Sequence, residues 1–145
     1  MIKGPDFNKE LSIDQLFESF KTTGIQASNL YKAKEIINKM LHYKGPKKQK
    51  CKIFLGYTSN MASCGIREII RYLCQHKLVD VVVTTAGGIE EDFIKCLADT
   101  YLHSFRTDDR KLREQGINRI GNMVVPNSNY VLFEDWIKPL FAEML

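Results

Sequence analysis

Apolar residues recur at helical spacing over the first third of the chain. The pattern that follows Ser12 predicts a short helix that ends at Gly24, and a second pattern predicts a helix over residues 28–42. A Lys-Gly-Pro segment after the second helix indicates a loop. We therefore predict a helical N-terminal lead-in with a basic loop over residues 1–50.

The hydrophobic pattern changes at Cys51, where short uninterrupted apolar runs replace the helical period. Residues 52–56 and 80–85 are such runs, and helical patterns follow them at residues 66–74 and 90–97. Uninterrupted apolar runs joined by helices are typical of parallel strands that are covered on both faces. The sequence therefore predicts a Rossmann-like, open and mainly parallel α/β sheet with helices on both faces.

The last third of the chain is less regular. Residues 99–118 are polar and rich in arginine, which predicts a long excursion with at most one short helix. Residues 123–126 indicate another short strand, and a final helix that Pro139 is expected to kink follows it. We assign residues 51–145 to the N-terminal part of one α/β domain.

The final helix reaches Met144 and Leu145 without a capping residue. After only two or three predicted strands, such an ending leaves sheet edges unpaired and apolar faces uncovered. We therefore expect the fold to be incomplete without a partner chain.

Composition and charge narrow the class of protein. The hydrophobic fraction of 44% and the charged fraction of 26% are typical of a globular domain. Five lysines lie within residues 44–52, but no aromatic residues for base stacking alternate with them. We interpret this run as a solvated loop and expect no nucleic-acid partner. No apolar run approaches the ~20 residues of a membrane helix, so we also expect no membrane partner.

The four cysteines form no C-x-x-C pair and share no metal-ligand spacing with the three histidines. The N-terminus lacks the apolar run of a secretion signal. These features predict reduced cysteines, a cytoplasmic location and no metal site.

Two loops at the predicted carboxyl ends of the strands carry the candidate chemistry, because ligands of open α/β sheets bind there. Residues 56–65 offer hydroxyls, an amide and backbone N–H groups that suit dinucleotide phosphates. Residues 84–91 offer glycines for close approach, followed by Glu90 and Glu91. Ser and Asn at helix starts are also ordinary caps, and glutamates in a first turn are favoured by the helix dipole. Both interpretations stay open.

At these residues the sequence closely resembles the deoxyhypusine synthase family, and the likeness covers nearly the whole chain. The motifs that carry it are Phe54-Leu-Gly-Tyr-Thr-Ser-Asn60, Gly65-Ile-Arg-Glu68, Val83-Thr-Thr-Ala-Gly-Gly88, Glu90-Glu-Asp92, Gly116-Ile-Asn-Arg-Ile-Gly-Asn122 and Phe133-Glu-Asp-Trp136.

The resemblance implies a transferase that uses NAD to dehydrogenate spermidine and captures the aminobutyl group as an imine on a lysine. That group then passes to a lysine of the hypusine-containing translation initiation factor. The resemblance also implies a tetramer with sites at subunit interfaces.

Site residues follow from the resemblance position by position. Glu90 and Glu91 would contact spermidine. The residues that would line the NAD site are Ser59, Asn60, Met61, Ala62, Ser63, Thr85, Ala86, Gly87 and Glu91.

The part of the family sequence that carries the catalytic lysine has no counterpart here, so we expect no catalytic residue in this chain. The leading hypothesis is a composite enzyme, in which the C-terminal part is a separate chain of a homo- or hetero-tetramer. The alternative is a catalytically inactive regulatory subunit of a deoxyhypusine synthase complex. A faint likeness of residues 63–67 to the NAD loop of sirtuin deacetylases is opposed by the lack of paired zinc cysteines.

Overall fold

Two helices make up most of the first unit of the chain. The computed structural model describes residues 1–145 and divides into the units Met1–Ile53 and Phe54–Leu145. In the first unit, α1 spans Ile13–Thr23 and α2 spans Ile25–His42. The predicted helical N-terminal segment is thus confirmed, although α2 begins three residues earlier than the apolar pattern indicated.

The ends of α1 are set by local hydrogen bonds. The Ser12 hydroxyl accepts from the backbone N–H of Gln15 at 3.2 Å, and the Gln15 side chain accepts from the backbone N–H of Ser12 at 2.9 Å. Gly24 ends the helix with a φ of 94°, a conformation that only glycine adopts without strain. An ion pair of 2.6 Å between Lys34 and Glu18 joins α2 to α1.

The second unit begins with two strand-helix segments. Strand β1 (Phe54–Tyr57) is followed by the short helix α3 (Ser59–Ser63) and by α4 (Ile66–Gln75). Strand β2 (Val81–Thr84) leads into α5 (Ala86–Leu97). The two strands pair in parallel, which confirms the parallel pairing that the apolar runs predicted.

The rest of the unit contains three further strands and two helices. They are β3 (Tyr101–Leu102), α6 (Asp109–Glu114), β4 (Ile117–Ile120), β5 (Met123–Pro126) and α7 (Asn127–Glu143). Strands β3 and β4 flank β5, and both pair with it antiparallel.

The predicted open, mainly parallel sheet is not confirmed, because the strands form two separate small sheets and the larger one is antiparallel. The prediction missed β4, because its Ile-Asn-Arg-Ile sequence mixes polar and apolar residues and lies in an Arg-rich segment. The turn before β5 is made by Gly121, whose φ is 63°, and Asn122.

The core of the second unit lies between α5 and its neighbours. Ile94 of α5 and Val125 of β5 are fully buried. Phe93 packs against Trp136 of α7 with ring centroids 4.8 Å apart, and Phe133 lies 6.4 Å from Phe93. These contacts hold α5 in place, and the candidate site is built on its first turns.

Candidate functional site

Strands β1 and β2 end side by side. Tyr57 and Thr84, the last residues of the two strands, are paired in register. Each strand passes through one threonine, Thr58 or Thr85, into the next helix. The two candidate loops therefore lie at one edge of the parallel pair, as expected for the carboxyl ends of parallel strands.

Both loops are more helical than the sequence indicated. The first five predicted NAD-site residues form α3, and Ala86 and Gly87 belong to the first turn of α5. The Thr85 hydroxyl caps α5 by accepting from the Gly88 N–H at 3.2 Å. No side chain caps α3, so Ser59 and Asn60 do not have the capping role that was the alternative for that loop.

Glycines allow α5 to approach its neighbours closely. A Cβ atom on Gly87 would lie 3.4 Å from the Cβ of Ser59. A Cβ atom on Gly88 would lie 2.2 Å from the Thr84 hydroxyl oxygen, which is closer than real Cβ contacts, and 3.3 Å from the Thr84 Cβ, which is tight. An alanine at position 88 would therefore require the Thr84 side chain or α5 to move.

The predicted NAD-site residues fall into an inner and an outer group. Ala62 and Ser63 are buried against the interior, with 2% and 1% of their surface exposed, and Glu91 is also buried. Ser59 and Gly87 are half-buried. The exposed residues are Asn60, Met61, Thr85 and Ala86.

Glu91 is a buried carboxylate with an unused oxygen. It is 9% exposed, and its Oε2 atom is buried without a hydrogen-bond partner. Burial raises the pKa of Glu91, and the neighbouring charge of Glu90 raises it further, whereas a hydrogen bond from Ser63 and the charge of Lys95 lower it. Such an atom is costly to bury unless something donates to it.

The alternative interpretation, that Glu90 and Glu91 are first-turn residues favoured by the helix dipole, is wrong. Because α5 begins at Ala86, Glu90 and Glu91 lie beyond its first turn, which contains no acidic residue. The sequence placed the start of this helix too late, since Ala-Gly-Gly is a common turn sequence and glycine is a poor helix former.

Two further residues around Glu91 were missed in the sequence. Lys95 donates from Nζ to the backbone carbonyl oxygen of Ser63. Tyr130 of α7 is half-buried, and its pKa is raised first by burial and then by the charges of Glu91 and Glu90. Only Lys95 could have been recognised from the sequence as a neighbour of Glu91, because it lies four residues after Glu91 on a predicted helix.

An ion pair joins α4 to α5 beside the site. Arg67 Nε donates to Asp92 Oδ1 at 2.6 Å, and Arg67 Nη2 lies 3.1 Å from the Cys96 sulfur. Arg67 lies in the Gly65–Glu68 motif, so this contact ties that motif to the helix that carries Glu91.

Neither a metal centre nor a membrane segment stands out. The structure has no group of three or more His, Cys, Asp or Glu side chains placed to hold a metal ion. None of its helices is both long and apolar enough to cross a bilayer.

The family model for deoxyhypusine synthase matches residues 15–145 of the chain. The chain belongs to the deoxyhypusine synthase family. The match includes α3, α5 and every predicted site residue, and it confirms the resemblance that the motifs indicated.

Individual members of the family agree with this assignment. A deoxyhypusine synthase of Neurospora crassa is 54% identical over 97% of this chain and 41% of its own length. Homospermidine synthase 2 of Senecio vernalis is 51% identical over 99% of this chain and 43% of its own length. A crystal structure from Entamoeba histolytica, assigned to deoxyhypusine synthase, matches with a TM-score of 0.54 and 44% identity, over 67% of this chain and 38% of that one.

The chain therefore spans about two fifths of the length of these deoxyhypusine synthase relatives, and it matches their N-terminal part. The fold similarity is to a mixed α/β protein of the same family.

Proposed function

We propose that the chain is the N-terminal portion of a deoxyhypusine synthase. In this role it contributes NAD and spermidine contacts to the transfer of the aminobutyl group of spermidine onto a lysine of the hypusine-containing translation initiation factor. Family membership over residues 15–145 supports the class of reaction. The buried, partly unpaired carboxylate of Glu91 is the single observation that supports a cationic ligand here.

The arrangement of α3 and α5 fits a dinucleotide. The first N–H groups of a helix have no intrahelical partner, and α5 has twelve residues with a positive dipole end at Ala86. The exposed Asn60 lies on α3 and the exposed Thr85 directly precedes α5, the two helices that would flank the cofactor. NAD, when bound, supplies the hydride acceptor for the dehydrogenation of spermidine. The residues that would hold it are Ser59, Asn60, Met61, Ala62, Ser63, Thr85, Ala86, Gly87 and Glu91.

Glu90 and Glu91 suit a polyamine. An ammonium group near Glu91 would donate to the unused Oε2 atom and would stabilise the ionised carboxylate, opposing the effect of burial on its pKa. Glu90, which is half-buried beside it, adds a second negative charge. Coulomb attraction is stronger in such a poorly solvated place than in water.

The C-terminal part of the family sequence completes the proposed enzyme. The relatives are more than twice as long as this chain, and the resemblance assigns the catalytic lysine to the part that lies beyond the matched region. We propose that residues 1–145 work in a homo- or hetero-tetramer that also contains this C-terminal part.

The experiment is a spermidine titration of the reconstituted complex with saturating NAD. We expect Glu91→Gln to raise the spermidine concentration required for half-maximal rate about tenfold or more, because a charged hydrogen bond is lost. Glu143→Gln, a change at the end of α7, is the matched control and should leave this concentration unchanged. An unchanged requirement in Glu91→Gln would contradict the proposed polyamine contact.

The Senecio relative favours one second candidate, because a homospermidine synthase is as similar to this chain as several deoxyhypusine synthases are. The same complex can be assayed for homospermidine formation and for modification of the initiation factor. Homospermidine formation without modification of the factor would assign the chain to that second activity.

A further inference from the structure

Lys95 holds the last turn of α3. Its Nζ donates to the backbone carbonyl oxygen of Ser63, which lies far from it in sequence and is the last residue of α3. The last carbonyl groups of a helix have no partner within the helix, and Ser63 is only 1% exposed. Without Lys95 this carbonyl would lack a partner in a place that water reaches poorly.

The side chain of Ser63 is engaged by the same helix. Its hydroxyl donates to the carbonyl oxygen of Ser59 at 3.4 Å, and it lies close enough to the Glu91 carboxylate to lower the pKa of that group. Glu91 and Lys95 are one turn apart on α5, so they lie on the same face of that helix. Thus Lys95 contacts the backbone of Ser63, and Glu91 lies beside the Ser63 side chain.

We propose that Lys95 is a positioning residue of the candidate site, which holds Ser63 beside Glu91 while the Oε2 atom of Glu91 stays available to a cationic ligand. The identity of that ligand as a polyamine rests on the proposed function, whereas the arrangement of Ser63, Glu91 and Lys95 is independent of it.

The charges around Glu91 make this role measurable. Glu90 and Lys95 act on Glu91 from α5, Tyr130 faces it from α7, and the contact from α3 is the neutral Ser63. Of these groups, Lys95 carries the positive charge that favours the ionised carboxylate. Replacement of Lys95 by an uncharged residue removes that charge and loosens Ser63, and both effects raise the pKa of Glu91.

The direct test is a pH titration of the Glu91 carboxyl carbon by NMR in the full chain, with Glu91→Gln used to assign its resonance. We expect Lys95→Met and Lys95→Gln to move the midpoint to higher pH. Lys95→Arg should keep it near the wild-type value, because the guanidinium retains both the charge and a donor. Lys111→Met on α6 removes an equal charge away from the site and should not move the midpoint.

A midpoint in Lys95→Gln equal to that of the wild type would overturn the positioning role. The two uncharged variants differ in polarity, so if Lys95→Met does not fold, Lys95→Gln still decides the question. A purely structural role would lower stability in these variants but would not produce a shift that arginine reverses.

Spermidine binding to the reconstituted complex separates this inference from the proposed function. If both hold, Lys95→Met weakens spermidine binding about tenfold and moves its pH dependence upward, and Lys95→Arg restores both. A shifted Glu91 midpoint without any spermidine binding by the wild type would retain the positioning role and reject the proposed function. If the wild type binds spermidine but the Glu91 midpoint is unshifted in the Lys95 variants, the proposed function is retained and the positioning role is rejected.

Discussion

Glu91 illustrates how one buried side chain can favour a ligand and oppose folding. Its carboxylate is removed from water, and only part of the lost hydration is replaced by Ser63 and Lys95. Because burial raises the pKa of Glu91 in the folded protein, folding is opposed most strongly when the carboxylate is ionised.

We predict that Glu91→Gln increases the free energy of unfolding at pH 7 by on the order of 1 kcal/mol, because the amide carries no charge to desolvate. A raised folded-state pKa makes wild-type stability rise as pH falls through that pKa toward the ordinary carboxyl range. The advantage of the variant should therefore shrink on acidification. Urea denaturation between pH 4 and 8 measures the difference in free energy of unfolding between Glu91→Gln and the wild type. A difference that grew at low pH would contradict the claim that burial raises the pKa of Glu91.

Gly88 is a position at which the packing of α5 leaves little space for a side chain. We predict that Gly88→Ala lowers the free energy of unfolding by about 1–3 kcal/mol, because a Cβ at 2.2 Å from the Thr84 hydroxyl forces the Thr84 side chain or α5 to shift. Gly87→Ala is the matched control, since its Cβ would meet Ser59 at 3.4 Å. Denaturant unfolding of both variants is the measurement, and equal stabilities would show that α5 moves freely.

Asn60 is the exposed counterpart of these buried residues. We predict that Asn60→Ala weakens NAD binding to the reconstituted complex by about tenfold and leaves the unfolding transition within about 0.5 kcal/mol of wild type. Calorimetric titration with NAD measures the first effect, and denaturation measures the second. A loss of stability equal to the loss of binding would assign Asn60 a structural role instead.

At the scale of helices and strands, the sequence predicted those elements whose pattern is regular. The apolar runs of β1 and β2 and the capping pattern of α1 were recognised, because burial and local hydrogen bonds leave a clear pattern. The hairpin of β4 and β5 was only half recognised, since β4 pairs on one edge and carries polar residues. The early start of α5 depends on its contacts with β2 and α3, which no local pattern contains.

The cap of α5 can be tested against a matched position. We predict that Thr85→Ala costs about 1 kcal/mol of unfolding free energy, because the Gly88 N–H loses its acceptor, and that Thr85→Ser costs much less. Thr58 precedes α3 in the same way but makes no side-chain cap, so Thr58→Ala should have little effect. Thermal unfolding of the three variants compares them.

At the scale of the whole molecule, large apolar surfaces remain open. Phe54 and Val83 of the parallel pair are 66% and 56% exposed, and Ile69 and Tyr72 of α4 are 57% and 54% exposed. Single exposed apolar residues are ordinary, but several on neighbouring elements are typical of a surface that another chain covers.

We predict that residues 1–145 alone do not transfer the aminobutyl group of spermidine and that activity requires the C-terminal part of the family sequence. Intact-mass measurement of the active native sample identifies the partner. A partner with only the remaining part of the family sequence supports the composite enzyme, whereas a full-length family member supports a regulatory subunit. Transfer by the isolated chain would refute both.

The candidate site was also predicted unevenly. The positions from Ser59 to Glu91 could be named because the motifs are specific to the family, and the structure brings them to one edge. The roles of Lys95 and Tyr130 could not, because they depend on how α5 meets α3 and α7. Pairwise contacts between distant helices leave little trace in a single sequence.

The pairing of the strands also has a consequence for the order in which the chain acquires its structure. In the β4–β5 hairpin Ile120 pairs with Met123, whereas the parallel pair must bring Phe54 to Val81 across two intervening helices. Contacts between near neighbours close quickly, and contacts between distant residues close slowly. The hairpin is thus the natural early folding unit, and the edge that carries Glu91 is assembled late. While an unfolded full-length chain has not yet closed that edge, it has no ligand site for a cofactor to stabilise.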